Sequence, residues 1–154
     1  SAPKHVQQLT EENHLRWDSL GEFCALGESL NFLAKTNNNP KAAVLGAAAE
    51  SATQELLNNN KSPSRKVGEE DNRTSHFYFA LYWAKALAKQ KQDPEIAKYF
   101  EPISKSLTEN EDEIIKEIME LQGHEADLGG YYHTDPVKVQ KIMRPSKIFN
   151  QIIS

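Results

Sequence analysis

Three pairs of an Asn or Asp residue followed by proline constrain the fold of this chain more than any other feature. They stand at Asn39-Pro40, Asp93-Pro94 and Asp135-Pro136. Asn and Asp side chains cap the first N–H groups of a helix, and proline is favoured at its first position, where no N–H is needed. The pairs therefore divide the chain into segments that each begin as a helix.

Apolar residues recur at helical spacing through most of these segments. The pattern predicts helices over residues 11–35, 40–58, 76–90, 94–100, 103–121 and 136–143, and Ser146 is predicted to cap a final turn. Thr10 is the predicted N-cap of the first helix, and Thr74 or Ser75 that of the third. Pro102 is predicted to end one helix and start another, and Gly123 to close the latter in a left-handed conformation.

The predicted helix over 76–90 is apolar nearly all round in its first half, which is typical of a buried central helix. A β-strand over 77–83 is the competing interpretation, because aromatic residues favour strands, but the continuation Ala-Lys-Ala-Leu-Ala-Lys-Gln favours a helix. The Ala-rich helix over 40–58 is expected to pack closely on a neighbour. Residues 128–132 leave room for one short strand, so the predicted class is mostly α with at most one short strand.

Composition excludes several classes of function. The chain has 18 Lys and Arg against 22 Asp and Glu and a net charge of −4, which disfavours binding to a nucleic acid through its phosphates. No apolar run reaches the 18 or more residues of a membrane span. The single Cys24 cannot form an internal disulfide, which favours a reducing compartment and a cytoplasmic location.

The length of 154 residues is sufficient for one domain with its own core. The first residues carry neither an initiator Met nor the apolar stretch of a signal peptide. We therefore expect the chain to be part of a larger protein or to have been processed.

No motif in the sequence forms a catalytic set by itself. The five histidines show no HExxH spacing, and there is no glycine-rich phosphate-binding motif. Paired acidic residues are typical here of solvated helix ends and faces, and Asp71-Asn72-Arg73 of capping and ion pairing between elements. The sequence therefore predicts no metal centre and no acid–base pair in this chain.

Two basic clusters remain as candidate binding residues. The opening stretch, taken as a loop, contains Lys4 and His5, with Arg16 in the helix that follows; the second cluster is Ser-Pro-Ser-Arg-Lys at 62–66, inside the polar loop 61–73. Arg offers a planar fork of donors and Lys and His offer single donors, a combination that suits a phosphate monoester. Solvated surface charge is the alternative for both, and a phosphorylation site is a further alternative for the second.

Several long strings resemble one family. They are LRWDSLGEF at 15–23, KSPSRKVGE at 61–69, DNR at 71–73, SHFYFALYWAKALA at 75–88, LTENE at 107–111, LGGYY at 128–132, and RPS and FN near the end. In this order they resemble the C-terminal segment of monomeric NADP-dependent isocitrate dehydrogenase. The opening SAPKH is also similar to the adenosine-binding loop of isocitrate and isopropylmalate dehydrogenases.

The resemblance implies that residues 1–154 are the helical C-terminal part of the cofactor-binding domain, within a larger α/β dehydrogenase. It implies a monomeric cytoplasmic enzyme of the tricarboxylic acid cycle and glyoxylate bypass, which oxidises isocitrate to 2-oxoglutarate and CO₂ with NADP and Mg²⁺ or Mn²⁺. His5, Arg16 and Arg65 match the residues that hold the adenosine 2′-phosphate. Ser1 and Asp18 match further cofactor contacts.

The same resemblance implies that this chain cannot catalyse alone. Isocitrate, the metal ion and the catalytic residues would belong to the N-terminal remainder of the enzyme, the expected partner of this segment. The alternative is a stand-alone helical interaction or nucleotide-sensing module without catalysis. The reading frame upstream of Ser1 distinguishes the two hypotheses.

Overall fold

The computed structural model describes residues 2–17 and 20–154. These residues form eight helices and no strand. In chain order the helices are α1 (Ala2–Glu12), α2 (Gly21–Thr36), α3 (Pro40–Asn58), α4 (Asn72–Lys89), α5 (Pro94–Glu109), α6 (Glu111–Met119), α7 (Pro136–Met143) and α8 (Lys147–Ile153). The mostly α prediction is confirmed, and the helical interpretation of 77–83 with it. Within the described residues no helix is long and apolar enough to cross a membrane.

The helix starts predicted from Asn-Pro, Asp-Pro and Ser signals are confirmed. At each of them the side chain of the N-cap residue accepts a hydrogen bond from a backbone N–H of the first turn; the caps are Asn39, Asp93, Asp135 and Ser146. Gly123 has the predicted left-handed conformation, with φ +86°, but it does not close the helix as predicted, because α6 ends at Met119 with Glu120 as its C-cap. Local side-chain chemistry thus determines where these elements begin.

The first predicted helix, over 11–35, is confirmed only from residue 21 onward, where α2 begins, and is wrong before it. Residues 2–12 form α1, so the opening stretch is a helix and not a loop, and Thr10 lies inside it with its hydroxyl donating to the carbonyl of Gln7. The chain leaves α1 at Asn13, whose φ of +50° is left-handed. Asn tolerates this conformation and commonly ends helices, and the N–H of Asn13 bonds to Leu9 O at 3.0 Å.

Two further boundaries differ from the predictions. Asp71, rather than Thr74 or Ser75, caps α4, and the Thr74 side chain completes the cap by accepting from the Asp71 N–H. Pro102 lies inside α5 instead of ending a helix, and the break comes at Asn110. Apolar residues on both sides of Pro102, among them Phe100 and Ile103, pack against the same core. This shared packing outweighs the hydrogen bond that proline removes.

The core lies around α4, as predicted for 76–90. Helix α4 packs against α3 and α5, α2 packs against α3, and α8 contacts α5 and α6. Phe77 is fully buried, and Phe79 stacks on Phe23 of α2 with ring centroids 4.3 Å apart. Helices α2 and α3 approach closely at Gly46, where an added Cβ would stand 2.3 Å from the Asn31 side chain. The close packing predicted for the Ala-rich helix is confirmed.

Candidate functional site

Three of the predicted site residues line one open cleft. His5 comes from α1, Arg16 from the segment 13–17 that follows it, and Arg65 from the loop 61–71. The cleft has a volume of about 470 Å³, and its other lining residues are Lys4, Gln7, Gln8, Glu11 and Glu12. The two basic clusters are far apart in the sequence, since His5 and Arg65 are separated by 60 positions, but they line a single cleft. Ser1 and Asp18 lie outside the described residues.

Helix α1 supplies most of this surface because its cleft residues repeat at helical spacing. Lys4, His5, Gln8, Glu11 and Glu12 are three or four positions apart and therefore share one face. Gln7 donates to both oxygens of the Glu11 carboxylate, at 3.1 and 3.3 Å. That carboxylate already has a partner within the helix.

The charge of the cleft differs from that of the whole chain. Lys4, Arg16 and Arg65 are basic and line the cleft together with the acidic Glu11 and Glu12, whereas the chain as a whole carries −4. Desolvation of the half-buried His5 ring, with the charge of Arg16 nearby, lowers the pKa of His5 below its usual value of 6.5. The neutral ring is thereby favoured until an anion binds.

Polar contacts determine the position of the Arg65 loop. Gln8 Nε2 donates to the carbonyl of Arg65 at 3.0 Å, and one ring nitrogen of His14 lies 2.8 Å from the carbonyl of Ser64. Gln122 donates to the carbonyl of Glu69 at 2.9 Å. The loop was predicted only as a polar stretch without periodicity. In the structure, hydrogen bonds from three separate segments hold it against α1.

A buried ion pair holds the Arg16 segment in place. The side chains of Arg73 and Asp71 are 3% and 0% exposed, and Arg73 Nη2 lies 2.6 Å from Asp71 Oδ2. Arg73 also donates to Asn13 Oδ1 at 2.9 Å, to Asn13 O at 2.6 Å and to Ile142 O at 2.9 Å. The N–H of Leu15 donates to Asp71 Oδ2 at 3.1 Å. The capping predicted for 71–73 is therefore confirmed. The ion pair lies within one element rather than between two, and Arg73 reaches other segments through its hydrogen bonds to Asn13 and Ile142.

Sequence reasoning assigned no role to His14 or Gln122, and it gave Asp71 and Arg73 no role in the site. The first two are buried and most of their side-chain partners lie 50 or more positions away, so no local spacing marks them. The one feature of the sequence that could have drawn attention to His14 is its position directly after Asn13, which ends α1. No group of three metal-ligating side chains occurs in the part of the chain that the structure describes.

Comparison with known proteins identifies the family. The family model described as monomeric isocitrate dehydrogenase matches residues 1–154. Isocitrate dehydrogenase [NADP] 2 of Psychrobacter sp. (strain 13A) is 57% identical over 154 residues, and isocitrate dehydrogenase [NADP] of Azotobacter vinelandii is 54% identical over the same length. Each alignment covers 100% of this chain and 21% of the relative. The chain thus spans about a fifth of the length of these curated relatives, and it belongs to the monomeric isocitrate dehydrogenase family.

Proposed function

We propose that this chain is the C-terminal part of the cofactor-binding domain of an NADP-dependent isocitrate dehydrogenase, and that its cleft binds the adenosine 2′-phosphate of NADP. The observation that carries the proposal is the convergence of His5, Arg16 and Arg65 in one cleft from three segments. Family membership and the names of the relatives support the choice of cofactor. Ser1 and Asp18 are proposed as further cofactor contacts.

The donors of the cleft suit a phosphate monoester. Arg16 and Arg65 each present a planar fork of N–H groups, which can bind two phosphate oxygens at once. His5 is poised to take up a proton when a phosphate dianion approaches, because the anion favours the charged ring. Glu11 and Glu12 on the same face repel an anion placed over them. The 2′-phosphate is therefore expected between Arg16, Arg65 and His5.

When bound, NADP would accept the hydride removed from isocitrate as 2-oxoglutarate and CO₂ form. This chain's residues hold and orient the adenosine end of the cofactor. Isocitrate, the Mg²⁺ or Mn²⁺ ion and the catalytic residues are assigned to the N-terminal remainder of the enzyme, so the 154-residue chain alone is expected to turn over no isocitrate. A role in the tricarboxylic acid cycle and the glyoxylate bypass, and a monomeric state, follow from the same proposal.

A cytoplasmic location is also part of the proposal. Cys24 is exposed and free. An exposed thiol of this kind is compatible with a reducing compartment, where thiols persist without forming disulfides. No nucleic acid or membrane is proposed as a partner.

The test is Arg65→Ala in the complete enzyme, measured as KM and Kd for NADP and for NAD. Removal of a charge-assisted hydrogen bond costs about 1.5–3 kcal/mol, or roughly 10-fold to 100-fold in affinity, and only NADP carries the 2′-phosphate. We expect NADP binding to weaken by this factor and NAD binding to change less than about twofold.

Lys66→Ala is the matched control, since Lys66 is the next residue, is exposed and does not line the cleft. It should leave the discrimination between the two cofactors unchanged. Equal losses for NADP and NAD in Arg65→Ala would contradict the assignment of Arg65.

A further inference from the structure

His14 is a buried side chain with one contact to the Arg65 loop and one to a distant turn. Its side chain is fully buried. Nε2 lies 2.8 Å from the carbonyl oxygen of Ser64, and Nδ1 lies 2.8 Å from Oε1 of Gln122. Ser64 immediately precedes Arg65, and His14 itself stands two positions before Arg16. One imidazole ring therefore joins the two segments that carry the arginines of the cleft.

The orientation of the Gln122 amide is determined by the backbone of the same loop. The N–H of Gly68 can only donate, and it points to Oε1 of Gln122 at 2.7 Å. The carbonyl of Glu69 can only accept, and it faces Nε2 of Gln122 at 2.9 Å. Oε1 is thus the atom that faces His14. Each ring nitrogen thus faces an acceptor oxygen, and the contact with Ser64 is a hydrogen bond when Nε2 carries the ring hydrogen, because a carbonyl oxygen can only accept.

The loop is held by polar contacts, which at its start include Lys61 N–H to Leu56 O and the Ser75 hydroxyl to Lys61 O. None of residues 61–70 is buried, and none belongs to the apolar core clusters. On the far side, Gln8 donates to the carbonyl of Arg65 from exposed α1. His14 and Gln122 supply the contacts from the buried side. Together they set the distance between the backbone at Arg65 and the backbone at Arg16.

We propose that His14 is a positioning residue for NADP selectivity: its bond to Ser64 holds Arg65 at the spacing from Arg16 that a 2′-phosphate requires. This inference rests on the proposed function of the cleft. A displacement of about 1 Å in a charged donor removes much of a phosphate contact, because hydrogen bonds weaken steeply with distance and angle. His14 touches no part of the cofactor in this assignment, so its effect passes through the loop.

The two amide variants of His14 separate its two contacts. An Asn amide reaches about as far as Nδ1 of the replaced ring, whereas the longer Gln amide reaches about as far as Nε2. His14→Asn therefore keeps a donor toward Gln122 and loses the one toward Ser64. His14→Gln keeps a donor toward Ser64 and loses the one toward Gln122.

The experiment measures KM and kcat with NADP and with NAD in the complete enzyme for both variants, beside Arg65→Ala. We expect His14→Asn to raise the KM for NADP about 10-fold and His14→Gln only about two- to threefold, because one hydrogen bond contributes on the order of a factor of ten. The kcat at saturating NADP and the KM for NAD should stay within about twofold of the original enzyme. General loss of stability would not raise the KM for NADP alone, and it would not be relieved by the longer Gln side chain.

Three outcomes overturn the proposal. The first is an unchanged KM for NADP in His14→Asn while Arg65→Ala raises it; the second is an equal rise in the Asn and Gln variants; the third is an equal rise for NADP and NAD. If Arg65→Ala itself leaves NADP binding unchanged, the proposed function of the cleft fails instead. Should His14→Asn not fold, His14→Gln carries the test, since it keeps the contact with Ser64. A rise in the KM for NADP in that variant as large as the rise in Arg65→Ala overturns the proposal.

Discussion

The α4 core and the cleft region are held together by different kinds of contact. Around α4, buried Phe77, Leu81 and Leu87 pack against neighbouring helices, and the position of each element depends on many interchangeable apolar contacts. Around the cleft, segment 13–17 and loop 61–71 are positioned by a few specific hydrogen bonds to buried polar side chains. The apolar contacts that stabilise the fold and the proposed phosphate-binding cleft therefore lie in separate parts of this small structure.

The largest effect on stability is expected when the buried Arg73–Asp71 ion pair beside the cleft is removed. Arg73→Met keeps the aliphatic volume and leaves the Asp71 carboxylate buried without its ion pair, a change that typically costs about 4 kcal/mol of unfolding free energy. Asn13 and the carbonyl of Ile142 lose their donor at the same time. Urea unfolding of the chain measures the loss, and hydrogen exchange should show faster exchange at 13–17 and at the start of α4.

A loss in Arg73→Met below about 1 kcal/mol would show that this pair does not hold the cleft region together. Glu113→Gln, an exposed carboxylate on α6, is the control for a change of charge alone. It should leave the unfolding free energy nearly unchanged, because isolated surface charges contribute little.

A second variant tests the apolar core around α4. Leu81→Ala removes a side chain that is 1% exposed in α4, and cavity formation at such a site costs about 3 kcal/mol. In the complete enzyme, we expect the ratio of KM for NADP to KM for NAD to stay at its original value, because the cleft contacts do not pass through Leu81. Urea unfolding of the chain and steady-state kinetics of the enzyme are the two measurements. A change in that ratio as large as the one produced by Arg65→Ala would remove the distinction between the two regions.

The smallest expected effect concerns the pH dependence of cofactor binding. In the free protein the pKa of His5 is lowered by desolvation and by the charge of Arg16, so the ring is mostly neutral at pH 7. A bound 2′-phosphate raises that pKa, so binding takes up a proton and affinity increases as pH falls from 8 toward 6.5 by about threefold. Calorimetry of the complete enzyme with NADP in two buffers of different ionisation enthalpy measures the uptake. His5→Gln should abolish it, and an unchanged uptake in that variant would exclude His5 as the group that titrates.

The elements that were predictable from sequence are those with local causes. Caps such as Asp93 and Ser146 act on the next turn of the same chain, and the apolar pattern of α4 marks its burial. Pro102 was misread because its tolerance in α5 depends on packing against residues far away in sequence. Helix α1 was missed because Asn13 was not recognised as a residue that ends a helix. Asn38 and Asn60 have the same left-handed backbone after α2 and α3.

The candidate site, too, was predictable only where its causes are local. Local chemistry marked two basic clusters, but on the residues alone solvated surface charge remained the alternative for each. The resemblance supplied a shared ligand, and the structure brings His5, Arg16 and Arg65 to one cleft. The residues that hold them, His14 and Gln122, are 108 positions apart and bond to each other, a contact that no pattern within either segment encodes.

Helix α1 has a consequence for how affinity is set. None of its residues is buried, and it is attached by Gln8 to the Arg65 carbonyl and by backbone bonds from Gly123 and Ala126 to the carbonyls of Glu12 and Thr10. Isolated short helices are marginally stable in water, so if the cleft binds NADP as proposed, we expect part of the free energy of cofactor contact to go into keeping α1 folded. Under that proposal, substitutions on the outer face of α1 would change affinity through helix propensity alone, without altering the proposed phosphate donors.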